Sequence, residues 1–598
     1  MIFDHVRKRT GLARVLFATT CFIVGAAPAF AEPYDRVAPK EPKSEKAGTV
    51  TVPPETPAVP APAANPQLLP ALKGLRFVSG IKALEREGAS QSGISIGAGL
   101  PLLEDAVIQT KLSAFLGKPL HAGDLASISQ MVLDWYRAHD LPLVDVAFPE
   151  QNINRGTVQG VVTVYRLGKV EVSGNKWFSS DVLQDEMQVR PGDRIDFARL
   201  KSDLNRLNRN PFHTVNAVLE RSQTPGNVDL ALHVQDQRPL RVFAGFDNEG
   251  LPSTGRNRYS AGFNWGNVFG LDQQFSYQFI TSSDLWHKRD RGVGHSNDPR
   301  FMAHSASYLA PLPWGDELNI FGSYVEQVPN LGSSFDQVGH SVQLSLRYGR
   351  HLPTAGSLSQ EIKLGFDYKR TDNNLDFGGT SIFSSATNVE QFLAIYDGTL
   401  PDAWGQTAIE NQLVLSPGGL SNGNTTTAFR ASGVNGARAD YVYDNLKITR
   451  LTRLPWDMTS VIRFDGQLAS AELLPSEQLG AGGSSSVRGY ETRTASGSRG
   501  ALLSVELRSP GYSLLSHMGV PVADSGQLLA FYDAGYVSYL HDQSGEPRSV
   551  TLQSVGVGAR YSVDRYLDVS FDYGWQLTKA PGATSRGGLG SISVTLSY

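Results

Sequence analysis

From residue 241 onward, the chain alternates apolar and polar side chains in segments of about ten residues. In residues 591–598, Ile, Val, Leu and Tyr occupy the even positions, and Ser and Thr occupy the odd ones. The same period of two recurs in residues 342–348, 362–369 and 567–575. Because successive side chains of a β-strand point to opposite faces, the pattern predicts that this part of the chain consists of β-strands.

Alternation of this kind occurs in soluble β-sandwiches with one wet face and in transmembrane β-barrels. Large residues fill the apolar face, aromatic residues cluster at strand ends, and charges such as Lys363, Asp367 and Lys369 on the polar face suit an aqueous lumen. A strand with its turn takes about 20–24 residues in such barrels. Residues 241–598 therefore predict a transmembrane antiparallel β-barrel of about 16 strands, which leaves no unpaired edge in lipid.

The preceding stretch combines helical and strand periods. Apolar residues at positions 125, 128, 132, 133 and 136 follow one face of a helix, with Asp124 as its predicted N-cap. Helical patterns return around residues 179–188 and 196–208, and paired strand patterns follow each helical region. The order predicts two consecutive β-α-α-β-β units, one over residues 70–166 and one over residues 167–240.

The first 31 residues have the features of a secretory signal peptide: a basic start, an apolar stretch, and the small-x-small sequence Ala29-Phe30-Ala31. A membrane anchor is the alternative, but the apolar stretch is short for a span. Residues 32–69 are rich in Pro, Ala, Lys and Glu and are predicted to form an extended linker. The single cysteine, Cys21, lies in the predicted signal peptide, so no disulfide or thiolate chemistry is expected in the mature chain.

Charge and motifs give little support for an enzyme or a nucleic-acid-binding protein. The formal net charge is -4. Residues 419–423 match the G-x-S-x-G motif, but that motif requires a strand-to-helix turn, and the sequence predicts a polar loop with no helix after it. We therefore predict no catalytic residue, no metal site and no cofactor. No run of about 18 apolar residues follows the signal peptide, so any membrane crossing is expected to use strands.

A long loop and two downstream strands carry an ordered set of motifs. Val487-Arg488-Gly489-Tyr490 follows a Gly-rich stretch, Glu506 lies on the polar face of the strand Leu503–Leu507, and Phe531-Tyr532-Asp533-Ala534-Gly535 comes next. The set resembles the barrel of two-partner secretion transporters (TpsB proteins) of the haemolysin secretion/activation type, within the BamA-like superfamily. The resemblance implies that the tetrad lies on a loop folded back into the barrel, where its arginine pairs with the acidic residue of the F-x-D-x-G strand.

Upstream sequences extend the resemblance to about residue 70. Pro149-Glu150-Gln151 with Gly156 is similar to the first POTRA domain of the family, and Asn208-Arg209-Asn210-Pro211 is similar to the second. The resemblance thus implies two periplasmic POTRA domains before the barrel. Family members often begin with a helix that plugs the pore, but residues 32–50 show no convincing amphipathic helix, so a plug helix is not predicted here.

Strand parity supports the predicted pairing. If Tyr532 faces lipid, then Phe531, Asp533 and Gly535 face the lumen. A charge on the lipid face costs about 2–4 kcal/mol at the bilayer midplane, so an inward Asp533 is required. A guanidinium matches a carboxylate in a two-pronged geometry that lysine cannot reproduce, and we predict that Arg488 pairs with Asp533. An exposed loop arginine is the alternative.

The resemblance implies an outer-membrane pore that recognises and translocates a dedicated secreted partner protein. An assembly factor that inserts other barrels is the second candidate, and a passive porin or receptor is the third, although paired POTRA-like domains argue against it. The expected partners are an unfolded exoprotein in the periplasm and outer-membrane lipid, with no nucleic acid. The protein is expected to be a monomer with its N-terminal domains in the periplasm.

Overall fold

The computed structural model describes residues 37–42, 49–51, 65–141, 143–286, 299–329, 335–377 and 380–598. The predicted signal peptide and most of the predicted linker lie outside the described residues and remain predictions. The same holds for most of residues 32–50, where no plug helix is predicted.

The first α+β domain packs two helices against a four-stranded sheet. The elements up to its end are β1 (Val50–Thr51), β2 (Gln67–Leu69), β3 (Gly74–Ser79), β4 (Gly93–Ile96), α1 (Ala106–Ser113), β5 (Leu120–His121), α2 (Ala122–Arg137), β6 (Val144–Ala147) and β7 (Thr157–Val164). The sheet order is β4-β3-β7-β6. Ile128, Val132 and Tyr136 of α2 are buried against Leu75 and Phe77 of β3, so the predicted helix face forms the core.

Helix α2 begins earlier than its sequence suggests. Asp124 is the third residue of the helix and not its N-cap, which corrects the prediction. Its carboxylate accepts a hydrogen bond from the backbone N–H of His121 at 2.7 Å. This contact is half of a capping box, in which the N-cap and the third helical residue bond each other's backbone N–H groups.

The second α+β domain follows the predicted β-α-α-β-β order. Its elements are β8 (Arg166–Ser173), α3 (Ser180–Glu186), α4 (Phe197–Leu207), β9 (His213–Arg221) and β10 (Asn227–Asp236). The sheet order is β1-β9-β10-β8, so the short strand β1 from the N-terminal segment is added at the β9 edge. Helix α4 is amphipathic, and Leu200, Leu204 and Leu207 of this helix are buried in the core of the domain. None of the helices in the described ranges is long and apolar enough to cross a membrane.

The rest of the chain closes into a barrel of 16 antiparallel strands, which confirms the predicted fold class. The elements are β11 (Leu240–Asp247), β12 (Arg258–Val268), β13 (Gln273–Ser282), β14 (Phe301–Pro311), β15 (Glu317–Gln327), β16 (Phe335–Ala355), β17 (Leu358–Phe377), β18 (Thr380–Asp402), β19 (Gly405–Pro417), α5 (Thr426–Ala431), β20 (Asp440–Arg453), β21 (Thr459–Ala469), β22 (Leu479–Ala481), β23 (Ala495–Gly497), β24 (Arg499–Arg508), α6 (Leu514–His517), β25 (Asp524–Ser538), β26 (Ser549–Val563), β27 (Leu567–Gln576) and β28 (Gly588–Ser597). The barrel closes where β11 pairs with β28.

The two faces of the barrel wall follow the predicted alternation. On β16, the side chains of Leu344 and Leu346 are exposed on the outer face (55% and 46%), whereas Ser345 between them is 3% exposed. The outer apolar face suits lipid, and the inner polar face suits an aqueous lumen.

Residues 470–498, between β21 and β24, form a long segment that we call the lumen loop. Its strands β22 and β23 pair with each other and lie outside the barrel sheet. Both small strands contact β25, so the loop folds against the inside of the barrel wall.

Candidate functional site

The tip of the lumen loop is held in the barrel partly by apolar packing. Val487 and Tyr490 are buried in a cluster with Leu502 of β24 and Val537 of β25. The absence of a side chain at Gly535 makes room for this packing, since a Cβ there would lie 2.9 Å from Val487 Cγ2. The loop therefore seats two apolar residues of the tetrad on an otherwise polar wall.

Between these apolar residues, the guanidinium of Arg488 meets carboxylates on two neighbouring strands. Nε and an Nη of Arg488 donate to the two carboxylate oxygens of Asp533 at 2.7 and 2.8 Å, which is the bidentate geometry. The other Nη donates to Glu506 Oε1 at 2.8 Å. The guanidinium carbon lies 3.5 Å from the centroid of the Phe531 ring, a cation–π distance. Asp533 is 0% exposed and Arg488 is 4% exposed, so water screens these charges little.

The charges around Arg488 form a network that extends over five strands, β21 and β24–β27. Glu506 also pairs with Arg463 of β21 at 2.9 Å and with Arg508 at 2.5 Å. Asp572 of β27 lies 3.5 Å from Arg488 and pairs with Arg560 of β26 at 2.8 Å. Four arginines thus face three carboxylates, which balances most of the charge that burial would otherwise penalise.

Gly489 and Tyr490, the two residues after Arg488, bind the barrel wall as well. Gly489 has φ of 90°, and a Cβ on it would lie 2.7 Å from the backbone oxygen of Gly574 on β27. The chains touch backbone to backbone, and Gln576 Nε2 donates to the Gly489 oxygen at 2.7 Å. The hydroxyl of Tyr490 donates to the Thr578 backbone oxygen at 2.6 Å. The tip is therefore fixed to β27 as well as to β24 and β25.

A second anchor of the lumen loop lies on β17, β18 and β20, and it was not predicted from the sequence. Glu477 accepts from Lys369 of β17 at 2.8 Å, from Gln391 of β18 at 2.9 Å and from the hydroxyl of Tyr443 of β20 at 3.0 Å. Lys369 was visible as an inward charge on its strand, but no spacing in the sequence connects it to a loop residue 108 positions away.

Residues 37–42 also occupy the lumen. The backbone N–H of Lys40 donates to Gln278 of β13 at 3.0 Å, and its backbone oxygen accepts from Asn264 of β12 at 3.1 Å. Lys40 Nζ donates to Thr595 of β28 at 3.1 Å. This short segment therefore contacts both sides of the closure between the first and last strands.

The occupants leave part of the lumen open. A cavity of about 660 Å³ lies beside the lumen loop. Its wall carries charges of both signs from β15 to β21, among them Lys363, Asp397, Glu410 and Lys447. A mixed-charge wall of this kind is unlike the mostly apolar lining of a small-molecule pocket.

The second α+β domain is fixed to the barrel at the turn between β12 and β13. Asn210 Nδ2 donates to Asp272 Oδ1 and to the Gly266 oxygen, each at 2.6 Å, and His213 Nε2 lies 3.1 Å from Asp272. Burial, together with the neighbouring Asp272 carboxylate, raises the pKa of Glu186 to about 9. The Asn208-Arg209-Asn210-Pro211 sequence therefore forms the joint between domain and barrel.

A group with metal-ligand chemistry lies near this joint. The ligand atoms of Glu317, His351 and Glu361 are within 4.8 Å of one another. Arg209 pairs with Glu317 at 2.5 Å, and Lys363 lies 3.4 Å from Glu361. The two protein cations balance the two carboxylates, so the group fits an ion-pair joint better than a metal centre.

The G-x-S-x-G match lies in the loop after β19, and the prediction that no helix follows it was wrong. Helix α5 begins three residues after Gly423. The Ser421 hydroxyl accepts from the Asn388 amide at 2.9 Å, and an amide cannot act as the general base that this motif needs. Thr425 is the N-cap of this helix, and its side chain accepts a hydrogen bond from the Ala428 N–H.

Comparisons with known proteins match this architecture. The profile of the family described as haemolysin secretion/activation protein ShlB/FhaC/HecB matches residues 226–561. A POTRA profile described as surface antigen variable number repeat matches residues 165–237, and the POTRA domain of ShlB type matches residues 97–163.

Individual relatives are similar over most of their length. The outer membrane transporter CdiB of Dickeya dadantii is 25% identical over 79% of this chain and 80% of its own. The heme/hemopexin transporter protein HuxB of Haemophilus influenzae is 23% identical over 75% and 77%. The solved structure of CdiB from Escherichia coli superposes with a TM-score of 0.71 at 17% identity, covering 100% of this chain and 99% of that one.

Proposed function

The chain belongs to the haemolysin secretion/activation protein family ShlB/FhaC/HecB and is a two-partner secretion transporter of the outer membrane, and we propose that its anchored lumen loop closes the resting pore and forms one wall of the export passage. The observation that carries this proposal is the buried pairing of Arg488 with Asp533 and Glu506. Three strands of the wall hold the tip through these contacts and those of Gly489, so the loop has one defined position in the lumen.

The open part of the lumen sets the form in which a partner protein crosses. A cavity of about 660 Å³ accommodates a few residues of extended chain at a time and no folded domain. The partner therefore crosses unfolded. The sequence contains no Walker-type phosphate loop, and folding of the partner outside the cell withdraws it from the equilibrium and drives export by mass action.

The two POTRA domains lie in the periplasm, where they receive the partner before it enters the pore. The joint at Asn210, Asp272 and Arg209 holds the second domain at the barrel mouth. A fixed domain at the mouth supplies a defined entry route for one dedicated partner. We further propose that the transporter acts as a monomer surrounded by outer-membrane lipid, which mass measurement in detergent micelles tests directly.

Deletion of the gene, followed by proteomics of the culture supernatant and of the outer membrane, tests the proposed function. We expect loss of one secreted protein, restoration by the intact gene, and poor restoration by Arg488→Ala. Arg370→Ala is the matched control, because Arg370 pairs with Asp372 of the same strand at 2.9 Å and is exposed. General loss of other barrels would identify an assembly factor, and an unchanged supernatant would contradict export.

A further inference from the structure

One turn at the end of the barrel that bears the POTRA domains is much longer than the others. The turns after β12, β14, β16, β18, β20 and β26 have two to five residues, and short turns are usual at this end of outer-membrane barrels. The turn after β24 comprises residues 509–523 and contains α6, and we call it the long turn. None of its residues is Asp, Glu, Lys or Arg, whereas 19% of the whole chain is charged. The long turn therefore lacks the charged residues that usually cover a water-exposed surface.

The long turn exposes a patch of apolar side chains. Tyr512, Leu514 and Met518 are 56%, 51% and 75% exposed, and Val520 beside them is also exposed. We call these four residues the apolar patch. The Tyr512 ring stacks on the His517 ring with centroids 4.8 Å apart, so the patch is built on an ordered turn. A cluster of exposed apolar residues of this kind marks a surface that contacts another apolar phase.

Strand pairing shows which side of the barrel wall the long turn occupies. Tyr512 and Gly526 exchange two backbone hydrogen bonds, at 2.8 and 2.7 Å, and residues opposite each other in an antiparallel pair share a face. Gly526 has the same parity along β25 as Leu528 and Tyr532, which are exposed on the outer face. Tyr512 therefore lies on the side of the wall that faces lipid.

The carboxylate of Asp524 holds α6 on the same side. It accepts from the N–H groups of the first two residues of α6, at 2.8 and 3.0 Å, and from the Ser513 hydroxyl. It also accepts from the hydroxyl of Tyr561 at 3.0 Å, and Tyr561 of β26 pairs directly with Gly526 and so faces outward as well. Four donors to one carboxylate offset the cost of placing this charge close to lipid.

We propose that the apolar patch is an interfacial membrane contact, which inserts Tyr512, Leu514 and Met518 between the headgroups and upper acyl chains of the periplasmic phospholipid leaflet. The patch continues the lipid-facing surface of β24 and β25, on which Leu507 and Leu528 are exposed. A tyrosine beside aliphatic side chains suits the boundary between headgroups and acyl chains, since its ring is apolar and its hydroxyl is polar. The proposal concerns the membrane surface and does not depend on export of a partner.

Fluorescence quenching in phospholipid vesicles tests the proposal. The full-length transporter carries Met518→Cys in a Cys21→Ser background, which leaves one cysteine for an environment-sensitive fluorophore. We expect a phospholipid with a nitroxide near the headgroup end of its acyl chain to lower the fluorescence about twofold or more, and aqueous iodide to change it little. The matched control is Ser544→Cys, an exposed residue in the loop at the other end of β25, which should show the reverse pattern.

A second pair of substitutions separates an ordered membrane contact from loose adsorption of the turn. Asp524→Ala in the labelled Met518→Cys protein removes the acceptor that holds α6, so lipid quenching should fall severalfold. Tyr561→Phe removes one donor and leaves the bonds to α6, so it should keep the quenching. Equal iodide quenching at positions 518 and 544 would overturn the proposal. A probe at position 518 that is shielded in native outer membranes but unquenched by lipid in vesicles would identify a protein occupant, and it would overturn the assignment to lipid.

Discussion

Replacing Arg488 with alanine should release the lumen loop without unfolding the barrel. The side chain donates four hydrogen bonds to Asp533, Glu506 and Ser504 and stacks on Phe531. After its removal, Glu506 keeps Arg463 and Arg508, and Asp572 keeps Arg560. The ion pairs recorded for Asp533 among the described residues are all with Arg488, so this fully buried carboxylate loses its compensating charge.

The size of the effect follows from the buried Asp533 carboxylate that is left without its partner. Removing one partner of a buried ion pair costs about 3–5 kcal/mol, and the released loop avoids the cost by leaving its seat. Since about 1.4 kcal/mol changes an equilibrium tenfold, the ratio of released to seated loop should rise by roughly 100-fold to several thousand-fold. Arg488→Lys keeps the charge but loses the bidentate geometry, so it should lie between the wild type and Arg488→Ala.

Two assays report the position of the loop. Single-channel recording in planar bilayers should show longer and larger openings for Arg488→Ala. A maleimide probe should react faster with Ser485→Cys, an exposed residue near the loop tip, in the same variant. Asp533→Asn added to Arg488→Ala removes the unpaired carboxylate and should restore part of the wild-type behaviour. Wild-type openings, labelling rate and export in a properly folded Arg488→Ala barrel would refute the reasoning.

Three further substitutions test other contacts of the structure. Lys369→Met removes the cationic partner of Glu477, but the two neutral donors to that carboxylate remain. Channel openings in planar bilayers should therefore increase less than in the Arg488→Ala variant. Gly535→Val places a side chain where Val487 packs, so the melting temperature should stay near wild type while loop labelling by maleimide rises. Glu186 has a raised pKa of about 9, so its stabilising contribution is complete below about pH 4.5 and is lost as the pH rises through 9. Thermal melting should therefore show a decline in stability between pH 6 and 9 in the wild type that Glu186→Gln flattens.

The barrel was predictable because a lipid-facing strand must alternate along its whole length. Parity alone predicts which side chains face outward and which face inward, as Leu344, Ser345 and Leu346 on β16 show. The inward position of Asp533 followed in the same way, because a lipid-facing carboxylate would be costly. The number of strands was predicted from the length of this part of the chain, and the 16 strands of the structure confirm the predicted value of about 16.

Contacts between distant segments could not be obtained from such local rules. The pairing of Glu477 with Lys369 joins a loop to a strand 108 positions away in the chain, and no local period encodes that separation. The strand at Val50 was hidden for a similar reason, because a two-residue strand in a Pro-rich stretch has no period of its own. Asp124 was placed at the wrong helix position because one acidic residue serves equally well as an N-cap or as the third helical residue.

The two anchors of the lumen loop differ in how readily each is released. The loop runs from Glu477, bonded to β17, β18 and β20, to Arg488, bonded to β24 and β25. Any movement of these two groups of strands away from each other therefore stretches the loop between the anchors. Glu477 has one cationic partner and two neutral donors, whereas Arg488 lies in a network of four arginines and three carboxylates and also stacks on Phe531. Arg488 makes a bidentate pair with one carboxylate and a further bond to a second, whereas Glu477 has a single cationic partner, so we expect the Glu477 anchor to yield first and the tip to stay on β24 and β25 while the passage opens beside it.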